Sequence, residues 1–469
     1  MSGELPSGWA EARIGDLAEL NPKQAFDDDT MAGFVPMSHA PTNFRDKLRF
    51  DERPWGEIKK AYTNFKDGDV IFAKVTPCFE NGKAAFVDGL PSGIGAGSSE
   101  FFVLRPSCGE VSAKYLLALV KSHDFLREGA ENMTGAVGLR RVPKQFVENY
   151  PVPVPPAGEQ TRIAAKLDEL LAQVDTLKAR IDGIPALLKR FRQSVLAAAV
   201  SGRLTEEWRM CREGKREGEG GAGSPPRSWV VTKLDQCVQA QNGKAFPSAD
   251  YRETGVRLIR PGNLHVSGHI VWTESNTVCL DEAYLEGNDR YVVRAGDIVM
   301  NLTAQSLKDD FLGRVCVYAG DAPALLNQRQ CVFVFEDDAP LVKGYLFWYF
   351  RSPQFRAFVE TLDSGSLIKH MYTKQLSGHE IAVPPIEEQT EIVRRVEQLF
   401  AFADQLEAKV NEAKTRIDRL TQSILAKAFR GELVPQDPND EPASVLLERI
   451  KAQRASAPKA KRKRRVGAD

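Results

Sequence analysis

The chain has 469 residues, 42% of them hydrophobic and 27% charged, which is typical of a globular protein with room for two to four domains. Its 63 basic and 63 acidic residues cancel, so the composition excludes a polycation, and any contact with nucleic acid must come from locally gathered charge. The seven cysteines are scattered and form no CxxC pair, so we expect reduced thiols and no metal site.

The N-terminal sequence MSGELPSGWAEARIGDLAEL lacks a basic start followed by an apolar run. No stretch of the chain approaches the ~20 consecutive apolar residues of a membrane-spanning helix. We therefore expect a cytoplasmic protein.

Residues 1–153 are predicted to form a mixed α/β domain. Short β-branched and aromatic runs such as GDVIFAKV (68–75) and SSEFFVLRP (98–106) are typical of strands, with Gly-Asp supplying the turn before VIF. A helix is predicted over 113–126, with an apolar face that belongs to the core.

A long helix is predicted over 154–205. Its apolar residues are spaced alternately by three and four for over four heptads, which is the pattern of a coiled coil. A helix of ~40 residues spans ~60 Å, far more than a globular domain needs. Pro185 lies inside this pattern beside Gly183, so we expect a kink or a short break there.

After a flexible Gly-rich linker at 206–227, the chain repeats the same order. A second domain is predicted over 228–382, with the strand GDIVMNL and a helix over 343–355. A second long helix follows over 383–431, and a C-terminal segment over 432–469 contains a short helix and a basic tail at 459–465.

The phrase VPPAGEQTRI (154–163) returns as VPPIEEQTEI (383–392), and the matching residues elsewhere keep an offset of 220 to 230 positions. A tandem duplication explains that offset. The fold class predicted is therefore mixed α/β: two tandem globular domains, each followed by a long α-helix, the two helices pairing as an antiparallel coiled coil with pseudo-two-fold symmetry. The predicted seam consists of Ile163, Leu167, Leu170, Val174, Leu177, Ile181, Leu188, Ile392, Val396, Leu399, Leu406, Val410, Ile417 and Leu420.

The sequence contains no recognisable catalytic motif. The Gly-Lys pairs lack the GxxxxGK[ST] frame of a P-loop, and GIGAG (93–97) precedes a strand instead of linking a strand to a helix. NPKQ (21–24) lacks the second proline and the aromatic residue of an adenine-methyltransferase loop. His265 and His269 stand in a turn-like stretch without an HExxH motif. These observations predict a binding protein and not an enzyme.

This joint pattern resembles the specificity subunit of type I restriction-modification enzymes. GDVIF and GDIVM, VPP followed by EQ, and the helix ends QSVLAAAVSGRL and QSILAKAFRGEL carry the resemblance, which covers essentially the whole chain. It implies that each globular domain is a target recognition domain that reads one half of a bipartite DNA sequence. The long helices would set the separation of the half-sites and dock two modification (methyltransferase) subunits.

The resemblance also implies where the chemistry resides. The assembled complex would be an adenine-specific DNA methyltransferase and, with restriction (translocase and nuclease) subunits, an ATP-dependent endonuclease. S-adenosylmethionine would then belong to the modification subunits, and ATP and Mg²⁺ to the restriction subunits. This chain would need no cofactor of its own and would have no catalytic residue.

We expect DNA contacts from stretches that the two copies do not share, because the two half-sites should differ. Arg suits guanine, Asn and Gln suit adenine, and Lys suits phosphate. The candidate DNA-binding residues are Lys74, Thr76, Asn81, Lys83, Arg140 and Arg141 in the first domain, and Asn301, Thr303, Gln305, Gln328, Arg329 and Lys369 in the second.

Three alternatives stay open at this stage. A coiled-coil scaffold could bind protein or carbohydrate through its globular domains. A single-chain restriction and methylation enzyme would need an S-adenosylmethionine site, which the sequence lacks. An orphan specificity subunit would fold without a partner.

Overall fold

The structure, a computed structural model, describes residues 5–136, 138–213, 225–307, 310–362 and 368–456. The predicted basic tail at 459–465 and residues 214–224, half of the predicted linker, lie outside these residues. No helix within the described ranges is long and apolar enough to cross a membrane.

The chain forms two compact units, and each unit combines pieces that are distant in the sequence. Unit 1 contains Met1–Asp182 and Asn411–Asp469, and unit 2 contains Gly183–Val410. Each unit therefore holds one globular domain together with a part of each long helix. The consecutive domain boundaries given above stay predictions.

The first globular domain is built from twelve short strands and five short helices among its described residues, followed by the first long helix. The strands are β1 Ala10–Arg13, β2 Ala18–Leu20, β3 Met31–Val35, β4 Asp51–Pro54, β5 Thr63–Lys66, β6 Val70–Ala73, β7 Ala84–Phe86, β8 Ile94–Gly97, β9 Phe101–Pro106, β10 Thr134–Ala136, β11 Leu139–Arg141 and β12 Pro151–Val154. The helices are α1 Ile14–Leu17, α2 Trp55–Ile58, α3 Ala113–Val120, α4 His123–Glu131, α5 Lys144–Asn149 and the long α6 Ala157–Val200.

The second domain follows a short helix, α7 Glu206–Glu213. Its described strands are β13 Val230–Lys233, β14 Gln239–Asn242, β15 Val256–Ile259, β16 Cys279–Leu280, β17 Val292–Val293, β18 Ile298–Asn301, β19 Thr303–Ala304, β20 Val315–Val317, β21 Ala324–Leu326, β22 Gln330–Val334, β23 Lys369–His370 and β24 Glu380–Val383. The helices are α8 Lys343–Phe350, α9 Pro353–Thr361, α10 Thr373–Ser377 and the long α11 Ile386–Phe429, after which α12 Ala443–Ser456 belongs to unit 1.

The two domains share one topology. In the first, two four-stranded sheets run β2-β9-β6-β7 and β4-β3-β8-β5; in the second, the orders are β14-β22-β18-β20 and β16-β15-β21-β17. Among the described strands of each four-stranded sheet pair, one neighbouring pair is parallel, β3 with β8 and β15 with β21, and the other strand pairs are antiparallel. The mixed α/β fold and the tandem duplication are confirmed.

Each predicted helix after the sheets is in fact two helices. Ser122 and Ser352 each interrupt the helix and cap the next one, because their hydroxyls accept a hydrogen bond from the backbone N–H of Phe125 and Phe355. Serine competes for backbone partners in this way at helix starts. The apolar pattern that predicted single helices over 113–126 and 343–355 missed these caps.

The repeated phrase at the start of each long helix is a junction that fixes the domain to the helix. Its glutamates, Glu159 and Glu388, are buried, and each accepts a hydrogen bond at 3.0 Å from an indole N–H, that of Trp9 in unit 1 and of Trp229 in unit 2. Both tryptophans come from the first strand region of their own domain. The junction therefore ties the start of each domain to its end.

The glutamines of the phrase make a second tie. Gln160 accepts a hydrogen bond from the N–H of Ser112 (2.9 Å) and donates one to the carbonyl of Pro155 (3.1 Å). Gln389 accepts from the N–H of Val342 at 2.7 Å in the same way. Because buried backbone groups need partners, the glutamine satisfies the residue that precedes α3 or α8. The sequence EQ recurs because both of its side chains have a buried partner.

In unit 1 the two long helices lie antiparallel. Lys178 pairs with Asp418 at 3.7 Å, and Asp182, further along α6, pairs with Lys414, which lies earlier in α11, at 2.8 Å. The order of contacts is thus reversed between the helices.

Unit 2 shows the same reversal. Arg192 of α6 pairs with Asp404 at 2.6 Å and with Glu407 at 2.8 Å, while Arg395 donates to the carbonyl of Leu204, which lies beyond the end of α6, at 2.8 Å. Helix α6 is continuous through Pro185, so of the expected kink or short break the break does not occur, and the kink stays a prediction. A proline inside a helix removes one hydrogen bond and clashes with the preceding turn, a local cost that did not end this helix.

The predicted seam divides by exposure. Leu177 and Leu420 are 46% and 45% exposed, so the structure does not bury that layer of unit 1. Leu171, which the pattern did not select, is 2% exposed. The buried seam residues are Ile163, Leu167, Val174, Leu188, Ile392, Val396, Val410 and Ile417, and the half-buried ones are Leu170, Ile181, Leu399 and Leu406.

Candidate nucleic-acid interface

In the first domain, the segment that continues β6 runs beside β11. The N–H of Val142 donates to the carbonyl of Lys74 (2.8 Å), and the N–H of Thr76 donates to the carbonyl of Arg140 (3.0 Å). The hydroxyl of Thr76 also accepts from the N–H of Arg140 at 3.0 Å. These bonds bring together Lys74, Thr76, Arg140 and Arg141, four of the six residues that the sequence selected in this domain.

The turn after Thr76 carries the other two. Asn81 is exposed, whereas Lys83 is half-buried and donates to the carbonyl of Met37 at 2.9 Å. Lys121, which the sequence reasoning missed, is buried at the end of α3 and donates to the carbonyls of Gly82 (2.8 Å) and Thr42 (2.7 Å). Burial lowers the pKa of Lys121 to about 7. Lys121 thus holds the turn in place through these two carbonyls.

The arginines of this surface have acidic partners. Arg141 donates to both oxygens of Glu100, at 2.9 and 2.8 Å, and Arg140 lies 3.3 Å from Glu80. The hydrogen bond from Arg141 is the largest cause that holds the pKa of Glu100 below its ordinary value, and Lys74 adds to it by charge. Glu100 was not predicted, because an acid does not attract DNA. Aligning the two copies of the domain would have placed Glu100 opposite the candidate residue Arg329.

The second domain places its candidate residues on corresponding backbone segments. We call these segments the frame: 74–76 beside 140–142 in the first domain, and 302–304 beside 329 and 369–371 in the second. The N–H of Leu302 donates to the carbonyl of Arg329 (3.0 Å), and the N–H of Met371 donates to the carbonyl of Leu302 (3.0 Å). Thr303 pairs with His370 in the antiparallel β19-β23 ladder, beside Lys369. Four of the six predicted residues therefore meet here: Thr303, Gln328, Arg329 and Lys369.

Two of the predicted residues in this domain are buried. Asn301 is 0% exposed, and its amide donates to the carbonyls of Thr303 (2.6 Å) and Phe311 (3.0 Å). Thr303 is also buried, at 9%. The amide of Asn301 holds the backbone here, and neither buried side chain is presented to a ligand, whereas Gln305 is exposed.

A cleft of about 510 Å³ opens beside Gln328 and Arg329. Its lining combines two aromatic rings with several amide and guanidinium groups, and the guanidinium of Arg260 lies 5.8 Å from the ring centre of Tyr251. The lining residues are Phe246, Tyr251, Arg260, Pro261, Gly262, Asn263, Ser275, Asn276, Asn327, Gln328 and Arg329. Such a surface presents hydrogen-bond donors to an electronegative ligand.

Among the described residues, no group of three or more His, Cys, Asp or Glu side chains is placed to hold a metal ion. The seven cysteines are free thiols. Burial raises the pKa of the Cys316 and Cys331 thiols to about 12, so neither of the two is a reactive thiolate.

Comparison with known proteins gives consistent matches. The family described as type I restriction modification DNA specificity domain matches residues 6–186 and 226–414. The specificity subunit of type I restriction enzyme EcoKI from Escherichia coli strain K12 is 31% identical, with 97% of each chain covered. That of EcoAI from Escherichia coli is 29% identical, covering 91% of this chain and 82% of the relative.

The fold has solved counterparts as well. The HsdS subunit from Thermoanaerobacter tengcongensis has a TM-score of 0.60 at 21% identity, covering 92% of this chain and 99% of that one. The chain therefore belongs to the type I restriction-modification specificity family and carries its domain twice. It is a non-catalytic, DNA sequence-specificity subunit with two recognition domains.

Proposed function

We propose that each recognition domain reads one half of an interrupted, asymmetric DNA site on behalf of a modification complex. The observation that carries this division is the shared frame. In both domains, the segment after a core strand (β6 or β18) lies beside a second strand, and the side chains on the frame differ between the copies. A shared scaffold with different exposed side chains suits the reading of two different sequences.

The proposed DNA contacts follow from exposure. Buried Asn301 and Thr303 serve the frame, so they leave the contact set. The remaining ten predicted residues are exposed or half-buried: Lys74, Thr76, Asn81, Lys83, Arg140, Arg141, Gln305, Gln328, Arg329 and Lys369.

The proposed partners are two modification subunits docked on the paired long helices, and restriction subunits in the complete enzyme. The partner subunits would hold S-adenosylmethionine, ATP and Mg²⁺, and the complex would work in the cytoplasm. The family match lends no support to the scaffold alternative or to an orphan subunit.

A modified-base map tests the proposal. Genomic DNA from cells expressing this chain with its modification subunits should carry N6-methyladenine in an interrupted, asymmetric motif that is absent without the chain. Replacing residues 1–153 by the first domain of another such subunit should change one half-site only. A change in both half-sites, or the absence of any motif when the modification subunits are active, would contradict the proposal.

A further inference from the structure

One loop occupies the same backbone position in the two domains. It joins β8 to β9 in the first domain (residues 98–100) and β21 to β22 in the second (residues 327–329). The N–H of Ser98 donates to the carbonyl of Val35 at 3.0 Å, and the N–H of Asn327 donates to that of Ile259 at 3.1 Å. Each loop thus begins by pairing with the end of the strand parallel to it.

The last residue of each loop supports the frame of the interface. The carbonyl of Glu100 accepts the N–H of Lys74 at 2.9 Å, and the carbonyl of Arg329 accepts the N–H of Leu302 at 3.0 Å. Glu100 and Arg329 are therefore structurally equivalent, and we refer to 98–100 and 327–329 as the reading loops. The equivalence rests on backbone hydrogen bonds, so it is independent of the side chains.

The side chains at this position have opposite charge. Glu100 accepts two hydrogen bonds from Arg141, through Nε and one terminal nitrogen. A guanidinium has five N–H groups, so three of those of Arg141 remain available for a further partner. The carboxylate holds the guanidinium in one orientation, and a charge-assisted pair of this kind is geometrically specific.

Arg329 differs because it is exposed, and its side chain has no hydrogen bond or ion pair among the described residues. It lines the 510 Å³ cleft, together with Gln328. Arg260, which also lines the cleft, donates to the carbonyl of Asn276 at 3.1 Å. Two arginines and Tyr251 thus line one concave surface.

We propose that the reading loops are specificity-determining elements of the two domains, and that Arg329 reads a guanine in the second half-site. This inference rests on the proposed function and deepens it. In the first domain, Glu100 acts as a positioning residue that presents the guanidinium of Arg141 to a base of the first half-site. Guanine offers two major-groove acceptors, O6 and N7, which match two parallel N–H groups of an arginine.

The test uses the chain assembled with its modification subunits, acting on a DNA library in which both half-sites are randomised. Methylated molecules are sequenced, and base frequencies are obtained for each position. For Arg329→Ala, we expect the preference for guanine to fall about ten-fold or more at one position of the second half-site, since a bidentate pair contributes about 1–3 kcal/mol of discrimination. The first half-site should not change.

Glu100→Gln should change the first half-site and not the second. Glutamine cannot hold Arg141 by two charged hydrogen bonds, so the preference at one position of the first half-site should weaken while the second half-site is retained. The matched controls are Arg294→Ala and Glu52→Gln. Both are exposed residues of the same domains that neither lie in a reading loop nor line the cleft, and they should leave every position unchanged.

Two outcomes would overturn the inference. Uniform loss of methylation with unchanged base preferences in Arg329→Ala would mean a phosphate contact, and unchanged activity with an unchanged motif would mean no contact. Because the base frequencies at each position are compared among the methylated molecules, a variant with low activity still reports its base preference. A wild-type complex that selects no motif would refute the proposed function itself. That result differs from a failure of the inference alone, in which the wild type selects a motif but the variants do not change it as expected.

Discussion

Each of the two junction glutamates has a tryptophan partner, but their surroundings differ. The oxygen of Glu388 that does not bind the indole accepts a hydrogen bond from the hydroxyl of Thr205 at 2.7 Å and forms a buried ion pair with Arg209. The corresponding oxygen of Glu159 is buried without a hydrogen-bond partner in the described structure. Burial accordingly raises the pKa of Glu159 above its ordinary value.

The difference has its origin in the segments that follow the two long helices. Both segments pass through a glycine with a left-handed backbone, Gly202 with φ 81° and Gly431 with φ 71°. Three residues later unit 2 has Thr205, whereas unit 1 has Val434, which has no hydroxyl. The two copies thus share the Trp–Glu pair, but among the described residues only the glutamate of unit 2 has partners for its second oxygen.

Breaking the ion pair of unit 2 should have the largest effect. Arg209→Met leaves the carboxylate of Glu388 buried and uncompensated, so we expect a loss of about 3–5 kcal/mol in the free energy of unfolding of unit 2. Hydrogen exchange followed by mass spectrometry can report the two units separately. The control is Arg162→Met in unit 1, which removes a less buried pair with Asp440 (2.6 Å) and should cost less. Equal losses in the two variants would refute the contrast.

The neutral amide variants compare the two junctions directly. Glu388→Gln removes the charge that faces Arg209 and should destabilise unit 2 by about 1–3 kcal/mol. Glu159→Gln keeps an acceptor for Trp9 and removes a charge whose second oxygen has no partner, so near neutral pH it should be neutral or stabilising. Unfolding of each purified variant, followed by hydrogen exchange, measures both. A larger loss for Glu159→Gln than for Glu388→Gln would show that the comparison is wrong.

The long helices offer a third contrast, because equivalent leucines differ in exposure. Leu406 of unit 2 is half-buried, whereas its counterpart Leu177 of unit 1 is 46% exposed. Leu406→Asp should therefore cost about 1–2 kcal/mol, since burying a whole leucine contributes about 1.5–3 kcal/mol, and Leu177→Asp should cost less than about 0.5 kcal/mol. Thermal unfolding of the two variants checks whether Leu406→Asp loses more stability than Leu177→Asp. Equal losses would mean that the two leucines are equally buried.

Much of the architecture was accessible from the sequence because it is periodic or repeated. The heptad spacing located both long helices, and the repeated phrase revealed the duplication. Helix ends that depend on one hydroxyl, such as that made by Ser122, carry no periodic signal and were missed. Leu177 satisfies the heptad spacing but is exposed, because spacing specifies a face of the helix and not what covers that face.

The interface was predicted less completely, for a chemical reason. Choosing residues by their affinity for DNA selected Arg141 and Arg329 but overlooked Glu100, whose carboxylate accepts two hydrogen bonds from Arg141. It also selected Asn301, whose amide is consumed by two backbone carbonyls. A side chain's partners depend on tertiary contacts, which composition and spacing do not encode.

The smallest expected effect is a pH dependence of the stability of unit 1. The pKa of Glu159 is raised in the folded state, chiefly by burial, so the folded protein binds this proton more tightly than the unfolded chain does. Its contribution to stability is fully present below the unfolded pKa and is lost as the pH rises through the folded pKa. The charged groups that act on it are Arg162 and Asp440. Comparing wild type with Glu159→Gln isolates this contribution from other titrating groups.

The difference in unfolding free energy, wild type minus variant, should therefore decline as the pH is raised from about 4.5 toward neutrality. A flat profile for Glu159 would mean that its free oxygen has a partner in solution, such as an ordered water, and the two junctions would then be electrostatically alike.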